Sequence, residues 1–77
     1  MLASGAMATD IKAHITGTVW KIEVREGDEI GEGDVVAILE SMKMEMPVES
    51  DDAGTVEKIH VKEGQPVKEG DLLVTLK

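Results

Sequence analysis

The second half of this 77-residue sequence repeats the first half. The segment from Gly17 to Glu40 aligns with the segment from Gly54 to Lys77 at an offset of 37 residues, and 12 of the 24 paired positions are identical. A chain of this length is near the lower limit of what folds without disulfides or metal, so both copies belong to one domain. We therefore expect two equivalent units that pack together with quasi-twofold symmetry.

The residues of each copy are typical of β-structure. Short apolar stretches rich in Val and Ile are separated by glycine turns about every ten residues, as in an all-β sandwich or barrel. There is no Phe or Tyr and one Trp, which predicts a core of Val, Ile, Leu and Met. Strands are expected near residues 10–15, 18–25, 35–41, 45–50, 55–62 and 72–77, and short pairing segments near Ile30 and Val67 would complete eight. The uneven spacing of apolar residues at 19, 22 and 24, and again at 56, 59 and 61, predicts a bend or bulge where each strand changes sheet.

Composition excludes several classes of function. The chain has no cysteine, which rules out disulfides, thiolate zinc sites and thiol nucleophiles. Its formal net charge of -8 repels phosphate backbones and anionic lipid surfaces, so neither nucleic acid nor a membrane is expected as a partner. No apolar run approaches the roughly 18 residues of a membrane span, and no signal peptide is evident. We expect a soluble, cytoplasmic protein.

The chain divides into two parts. Residues 1–9 are small and polar without periodicity, and we expect either a disordered N-terminal segment or a cloning remnant. Residues 10–77 form the predicted domain.

Four glycines precede a short polar residue at matching places in the two copies. Glycine accepts positive φ and Asp or Gln can bond nearby backbone, so each pair predicts a tight turn. The spacing lacks the D-x-[DN]-x-[DN]-G pattern of a calcium loop, and no metal site is expected. The pairs are Gly27-Asp28, Gly33-Asp34, Gly64-Gln65 and Gly70-Asp71.

The segment between the two copies carries the most specific residues. A strand that is apolar on both faces, 35–39, is followed by Met42-Lys43-Met44, and apolar character resumes at 46–48. The three residues therefore fall where a tight turn is expected, which exposes the lysine. An ordinary surface lysine is the simplest interpretation, but it does not explain two large apolar side chains on a solvent-facing turn. The mismatch favours recognition by a partner.

The stretch Glu40-Ser41-Met42-Lys43-Met44-Glu45, placed between the two repeats, resembles the biotin attachment site of biotinyl domains, which include the biotin carboxyl carrier proteins and the small single-domain biotin/lipoyl attachment proteins. The resemblance covers about residues 10–77. It implies a flattened eight-stranded barrel-sandwich of two four-stranded antiparallel sheets. It also implies that Lys43 is amidated by biotin, that Met42 and Met44 are read by the biotin protein ligase and the carboxylase components, and that Glu40 and Glu45 assist recognition.

The sequence departs from the family pattern in three places. Ser41 stands where many members have Ala, and Ala13-His14-Ile15-Thr16 stands where many have an Ala-Pro-Met type segment. No insertion resembles the protruding thumb of some bacterial carriers. The second and third differences affect which carboxylase the chain would serve, and not whether it carries a prosthetic group.

By resemblance, the chain is a carrier without catalytic residues, monomeric as an isolated domain. It would take carboxyl groups from a biotin carboxylase to a carboxyltransferase. His14 and His60 have no Ser, Cys or Asp at a telling position, so no catalytic role is expected for either. Trp20 aligns with Glu57, which predicts a partly exposed side chain.

Two other functions stay open. One is a lipoyl carrier for a 2-oxo acid dehydrogenase or the glycine cleavage system, although lipoyl domains usually present an Asp-Lys-Ala type turn. The other is an unmodified interaction module, which would not need Lys43.

Overall fold

The computed structural model describes residues 9–77, and all regular structure in this range is β-strand. The strands form two four-stranded antiparallel sheets, so the predicted all-β class and sheet composition are confirmed. Of the expected N-terminal segment, residues 1–8 lie outside the described residues, and Thr9 is the first residue of β1. The strands are β1 (Thr9–Lys12), β2 (Gly17–Ile22), β3 (Glu29–Ile30), β4 (Val35–Ser41), β5 (Met44–Glu49), β6 (Gly54–Ile59), β7 (Pro66–Val67) and β8 (Leu72–Leu76).

The two sheets are related by the sequence repeat. Sheet 1 has the order β1-β8-β6-β3, and sheet 2 has the order β5-β4-β2-β7. An offset of 37 residues maps each strand of one order onto the corresponding strand of the other. The bulges also match, because the register shifts at Trp20 in β2 and at Glu57 in β6. The predicted quasi-twofold symmetry is therefore confirmed. A bulge between the first two apolar positions of each copy is also confirmed, but it lies within one sheet, before the chain crosses to the other.

Three strands end three residues before their predicted ends, at Lys12, Ile22 and Ile59. Beyond β2 and β6 the chain crosses from one sheet to the other, although Val24 and Val61 on these crossings are still buried. Apolar spacing records burial, and burial continues after strand pairing has ended. The sequence therefore predicted the apolar positions correctly and the strand ends incorrectly.

The buried residues of the described chain form eight pairs related by the repeat. Val, Leu, Ile and Ala fill this core, and Ser50 is its one polar member. The Ser50 hydroxyl donates to the carbonyl oxygen of Asp52 at 2.5 Å and accepts from the Asp52 amide at 3.2 Å, so it is not buried without partners. The expectation that methionine contributes to the core was wrong for the described residues, because none of their methionines is buried. The pairs are Ile11/Val48, Ala13/Ser50, Val19/Val56, Val24/Val61, Ile30/Val67, Val36/Leu73, Ala37/Val74 and Leu39/Leu76.

The four predicted turns have the expected backbone. Gly27, Gly33, Gly64 and Gly70 have φ between 89° and 93°, which side chains rarely adopt. The turns also join the two repeats, since the Gly27 amide donates to the Val56 carbonyl at 2.8 Å and the Gly64 amide donates to the Val19 carbonyl at 2.7 Å. These turns therefore hold one unit against the other.

Strand β5 is an edge strand of sheet 2, and Pro47 lies near its middle. Strand β5 pairs with β4 on one side, where Pro47 is opposite Ile38. Proline has no amide hydrogen, and it is tolerated in a strand where the nitrogen faces away from the neighbouring strand. The free edge of β5 therefore lacks a donor at its centre.

Candidate functional site

The β4–β5 hairpin has a two-residue loop formed by Met42 and Lys43. Ser41 and Met44 are paired on either side of it. Met42 has φ of 52° and Lys43 has φ of 64°, and they are the two non-glycine residues with positive φ among the described residues. Positive φ at both central positions is the requirement of a type I′ turn, which usually contains Asn-Gly. Left-handed backbone costs an ordinary residue about 1–2 kcal/mol, so the paired strands hold this turn against its local preference.

The side chains at the tip of the hairpin face solvent. Met42 is 91% exposed, Met44 is 58% exposed, and Lys43 is exposed between them. The predicted exposure of both methionines is confirmed. Met44 is less exposed because its side of β5 continues through the half-buried Met46 to the core residue Val48. The tip thus presents one amine between two flexible thioethers, which can adapt to partner surfaces of different shape.

Two carboxylates lie at the base of this tip. Glu40 on β4 and Glu45 on β5 are directly paired, and both are exposed. Like charges opposite each other on two strands destabilise the pair. The arrangement suits a partner that places a cationic group against both carboxylates. The structure thus brings all five predicted site residues together at one end of sheet 2.

Gly17 supports the base of the hairpin, a role that sequence analysis missed. A Cβ atom on Gly17 would collide with the carbonyl oxygen of Glu40 and would come within 3.3 Å of the Ser41 Cβ atom. The identity of Gly17 and Gly54 in the repeat was a signal, although it did not show which backbone each glycine approaches. Gly54 approaches Leu76 and Lys77 in the equivalent place.

His60 has a side-chain partner that the sequence did not reveal. Its Nε2 atom lies 2.8 Å from Thr75 Oγ1, and the same hydroxyl donates to Asp10 Oδ1 at 3.3 Å. An activated nucleophile needs the histidine between the hydroxyl and the carboxylate. Here the hydroxyl is in the middle, so the arrangement does not activate Thr75. His14 lies in a groove between β1 and β5, beside acidic residues.

Residues 9–77 contain no group of three or more His, Cys, Asp or Glu side chains that could hold a metal ion. Nor do they contain a helix long and apolar enough to cross a membrane.

Comparison with known proteins identifies related chains. Residues 2–76 match the biotin/lipoyl family described as "Biotin-requiring enzyme". A biotinylated protein TB7.3 homolog of Mycolicibacterium smegmatis is 57% identical over 42 residues, which are 54% of this chain and 59% of that protein. A biotin/lipoyl attachment protein of Bacillus subtilis is 49% identical over 41 residues, which are 53% of this chain and 56% of that protein. These alignments span less than two thirds of either relative.

The fold is also found within a much larger protein. The crystal structure of Kluyveromyces lactis urea carboxylase matches with a TM-score of 0.87 and 38% identity, over 92% of this chain and 6% of that one. The family match covers nearly the whole sequence, and the fold, the repeat and the lysine hairpin agree with it. The chain therefore belongs to the biotin/lipoyl attachment family of biotin-requiring enzymes.

Proposed function

We propose that the chain is a biotin carrier domain in which Lys43 receives biotin through an amide bond. The carrier then moves carboxyl groups between a biotin carboxylase site and a carboxyltransferase site. The observation that carries this proposal is the hairpin tip, where Lys43 is held in left-handed backbone between two exposed methionines. Biotin on this lysine would supply a ureido ring that accepts and releases the carboxyl group. The chain itself supplies the attachment point and the recognition surface.

The hairpin positions Lys43 for modification. It fixes the backbone of Lys43, so the amine projects beyond the end of sheet 2 where an enzyme can surround it. A lysine amine is normally protonated at neutral pH and must lose a proton before it can attack an activated acyl group. The ligase therefore has to accept that proton as the amide bond forms and the activating group leaves. Amide formation removes the positive charge of Lys43.

The relatives support this proposal in different ways. The Mycolicibacterium protein is named as biotinylated, and the Kluyveromyces protein is a carboxylase. Neither name specifies the acceptor substrate for this chain. We propose a carboxylase partner in general terms, with the biotin carboxylase and carboxyltransferase components as the enzymes that the carrier visits.

The direct test is biotinylation of the purified chain. The chain is incubated with biotin, ATP and a biotin protein ligase, and the product is read by intact mass and peptide mapping. We expect one biotin per chain on Lys43 and none on the Lys43→Arg variant. Lys21→Arg and Lys58→Arg are matched controls, because these lysines are equivalent in the repeat, and both variants should be modified normally. Label on either of those residues, or on Lys43→Arg, contradicts the proposal.

A lipoyl carrier is the second candidate, because the Bacillus relative is named for both groups. The same assay with lipoate, ATP and a lipoate ligase distinguishes the two. Faster modification by lipoate than by biotin at equal ligase concentrations would favour the lipoyl carrier. Lack of modification by either would favour an unmodified interaction module.

A further inference from the structure

The outer faces of the two sheets differ at equivalent positions. On sheet 2, Ile38 is paired with Pro47 on one side, and on its other side the bulge in β2 places both Trp20 and its partner Lys21 opposite it. We call Trp20, Ile38 and Pro47 the outer row. The repeat maps these three residues onto Glu57, Thr75 and Asp10 of sheet 1. An apolar row on one sheet therefore corresponds to a polar row on the other.

The side chains of the polar row on sheet 1 have hydrogen-bond partners or are exposed to solvent. Thr75 is hydrogen-bonded to Asp10 and to His60, and Glu57 is exposed to solvent.

The outer row of sheet 2 leaves apolar surface in water. Trp20 is 47% exposed, and Pro47 is exposed. Ile38 is half-buried, but it does not pack against the core. The buried positions of the two repeats match pair for pair, so the fold makes the same demands on both sheets. Sheet 1 folds with polar residues at the positions equivalent to the outer row. Apolar residues at these positions are therefore not needed for folding.

The outer row is close enough to Lys43 to share one interface with it. Along β4, Ile38 is two residues from Glu40 and three residues from Ser41, the last residue before the turn, or about 7 Å and 10 Å at the usual rise of a strand. A standard protein interface covers about 800 Å² of each partner, which corresponds to a disc of roughly 16 Å radius. A partner centred on the hairpin tip would therefore also cover the outer row.

We propose that the outer row is a docking surface for the biotin protein ligase, an inference that rests on the proposed function. The ligase must bring its active site within bonding distance of the Lys43 amine, so its surface has to approach the hairpin closely. An enzyme that acts on the far end of the biotin arm can remain farther away. The matching ligase surface is an apolar pocket for Trp20, with basic side chains opposite Glu40 and Glu45.

A matched pair of variants tests this surface. Trp20→Ser removes the indole from sheet 2. The control, Glu57→Ser, introduces serine at the equivalent bulge of sheet 1. Biotinylation is measured as initial rate against carrier concentration. A buried tryptophan at an interface commonly contributes enough affinity that its loss weakens binding about tenfold or more. We expect Trp20→Ser to raise KM for the carrier by about that factor at nearly constant kcat, and Glu57→Ser to leave both within about twofold.

A measurement on the unsubstituted side chain removes the dependence on variant folding. Trp20 is the single tryptophan, so growth with 5-fluorotryptophan gives one fluorine signal. Titration with ligase in the absence of ATP should shift or broaden that signal at ligase concentrations that saturate binding. An unchanged signal at those concentrations overturns the proposal, and so does an unchanged KM for folded Trp20→Ser. If unsubstituted carrier is not biotinylated on Lys43, the proposed function fails, and this surface loses its assigned partner with it.

Discussion

Comparing Met42→Gly with Met42→Ala separates the effect of the backbone conformation on stability from the effect of losing the side chain. Both changes remove the thioether, and the 91% exposure of Met42 means that neither removes core packing. They differ in the Cβ atom, which opposes the positive φ of 52°. Left-handed backbone destabilises a residue with a Cβ atom by about 1–2 kcal/mol, and glycine avoids this cost. Glycine in turn destabilises the folded state by about 0.4–1 kcal/mol, because its unfolded chain is more flexible. Met42→Gly should therefore be more stable than Met42→Ala by about 1 kcal/mol.

The difference is measurable by thermal and urea unfolding of the two variants. In a domain of this size, 1 kcal/mol corresponds to a shift in Tm of roughly 4–8 °C. The slope of the unfolding free energy against urea concentration should be the same for both variants, because both expose the same surface on unfolding. If Met42→Gly is no more stable than Met42→Ala, the positive φ at this turn carries no strain and the reasoning is refuted. Biotinylation should slow in both variants, because both lack the side chain that we assign to recognition.

Three other predictions concern the turns and the base of the hairpin. Gly27→Ala and Gly64→Ala should each lower the free energy of unfolding by about 1 kcal/mol, because both glycines have φ near 90°. The two losses should be equal, because a Cβ atom meets nothing within 4 Å in either turn. Unequal losses would contradict the equivalence of the repeats. Gly17→Ala should cost more than either in the same unfolding assay, because its Cβ atom collides with the backbone of β4, and Gly54→Ala should cost less than Gly17→Ala, because its nearest contacts are at 3.2 Å or beyond. Glu45→Gln should raise Tm at low salt and have a smaller effect at high salt, because it removes a like-charge pair with Glu40; a salt-independent effect would show that this repulsion is not the cause.

Much of the fold follows from the repeat. Copies of one pattern at a fixed offset predict equivalent strands, and the alternation of apolar residues fixes which side chains are buried. Glycine at four matching positions predicts positive φ, because side chains rarely adopt it. These features are local or repeated, and a single sequence displays them directly.

Other features depend on contacts between distant parts of the chain. The strand ends at Ile22 and Ile59 reflect where the chain crosses between sheets, which apolar spacing does not record. The hydrogen bond between His60 and Thr75 joins residues that only the sheet register brings together. At the site, the sequence predicted a turn at Lys43 but gave no indication of positive φ, because Met and Lys are not residues that usually adopt it. Tertiary pairing imposes that conformation.

Pro47 bears on how long a partner can remain bound. Adding a strand to the free edge of a sheet creates a row of main-chain hydrogen bonds, and complexes held by many such bonds dissociate slowly. The missing amide hydrogen at the centre of β5 interrupts that row, and the charged residues Glu45 and Glu49 stand on either side of the proline. Partners must then hold this edge mainly through side chains. In the carrier function that we propose, the chain has to leave one enzyme before it reaches the next, and an edge that resists strand pairing favours rapid release.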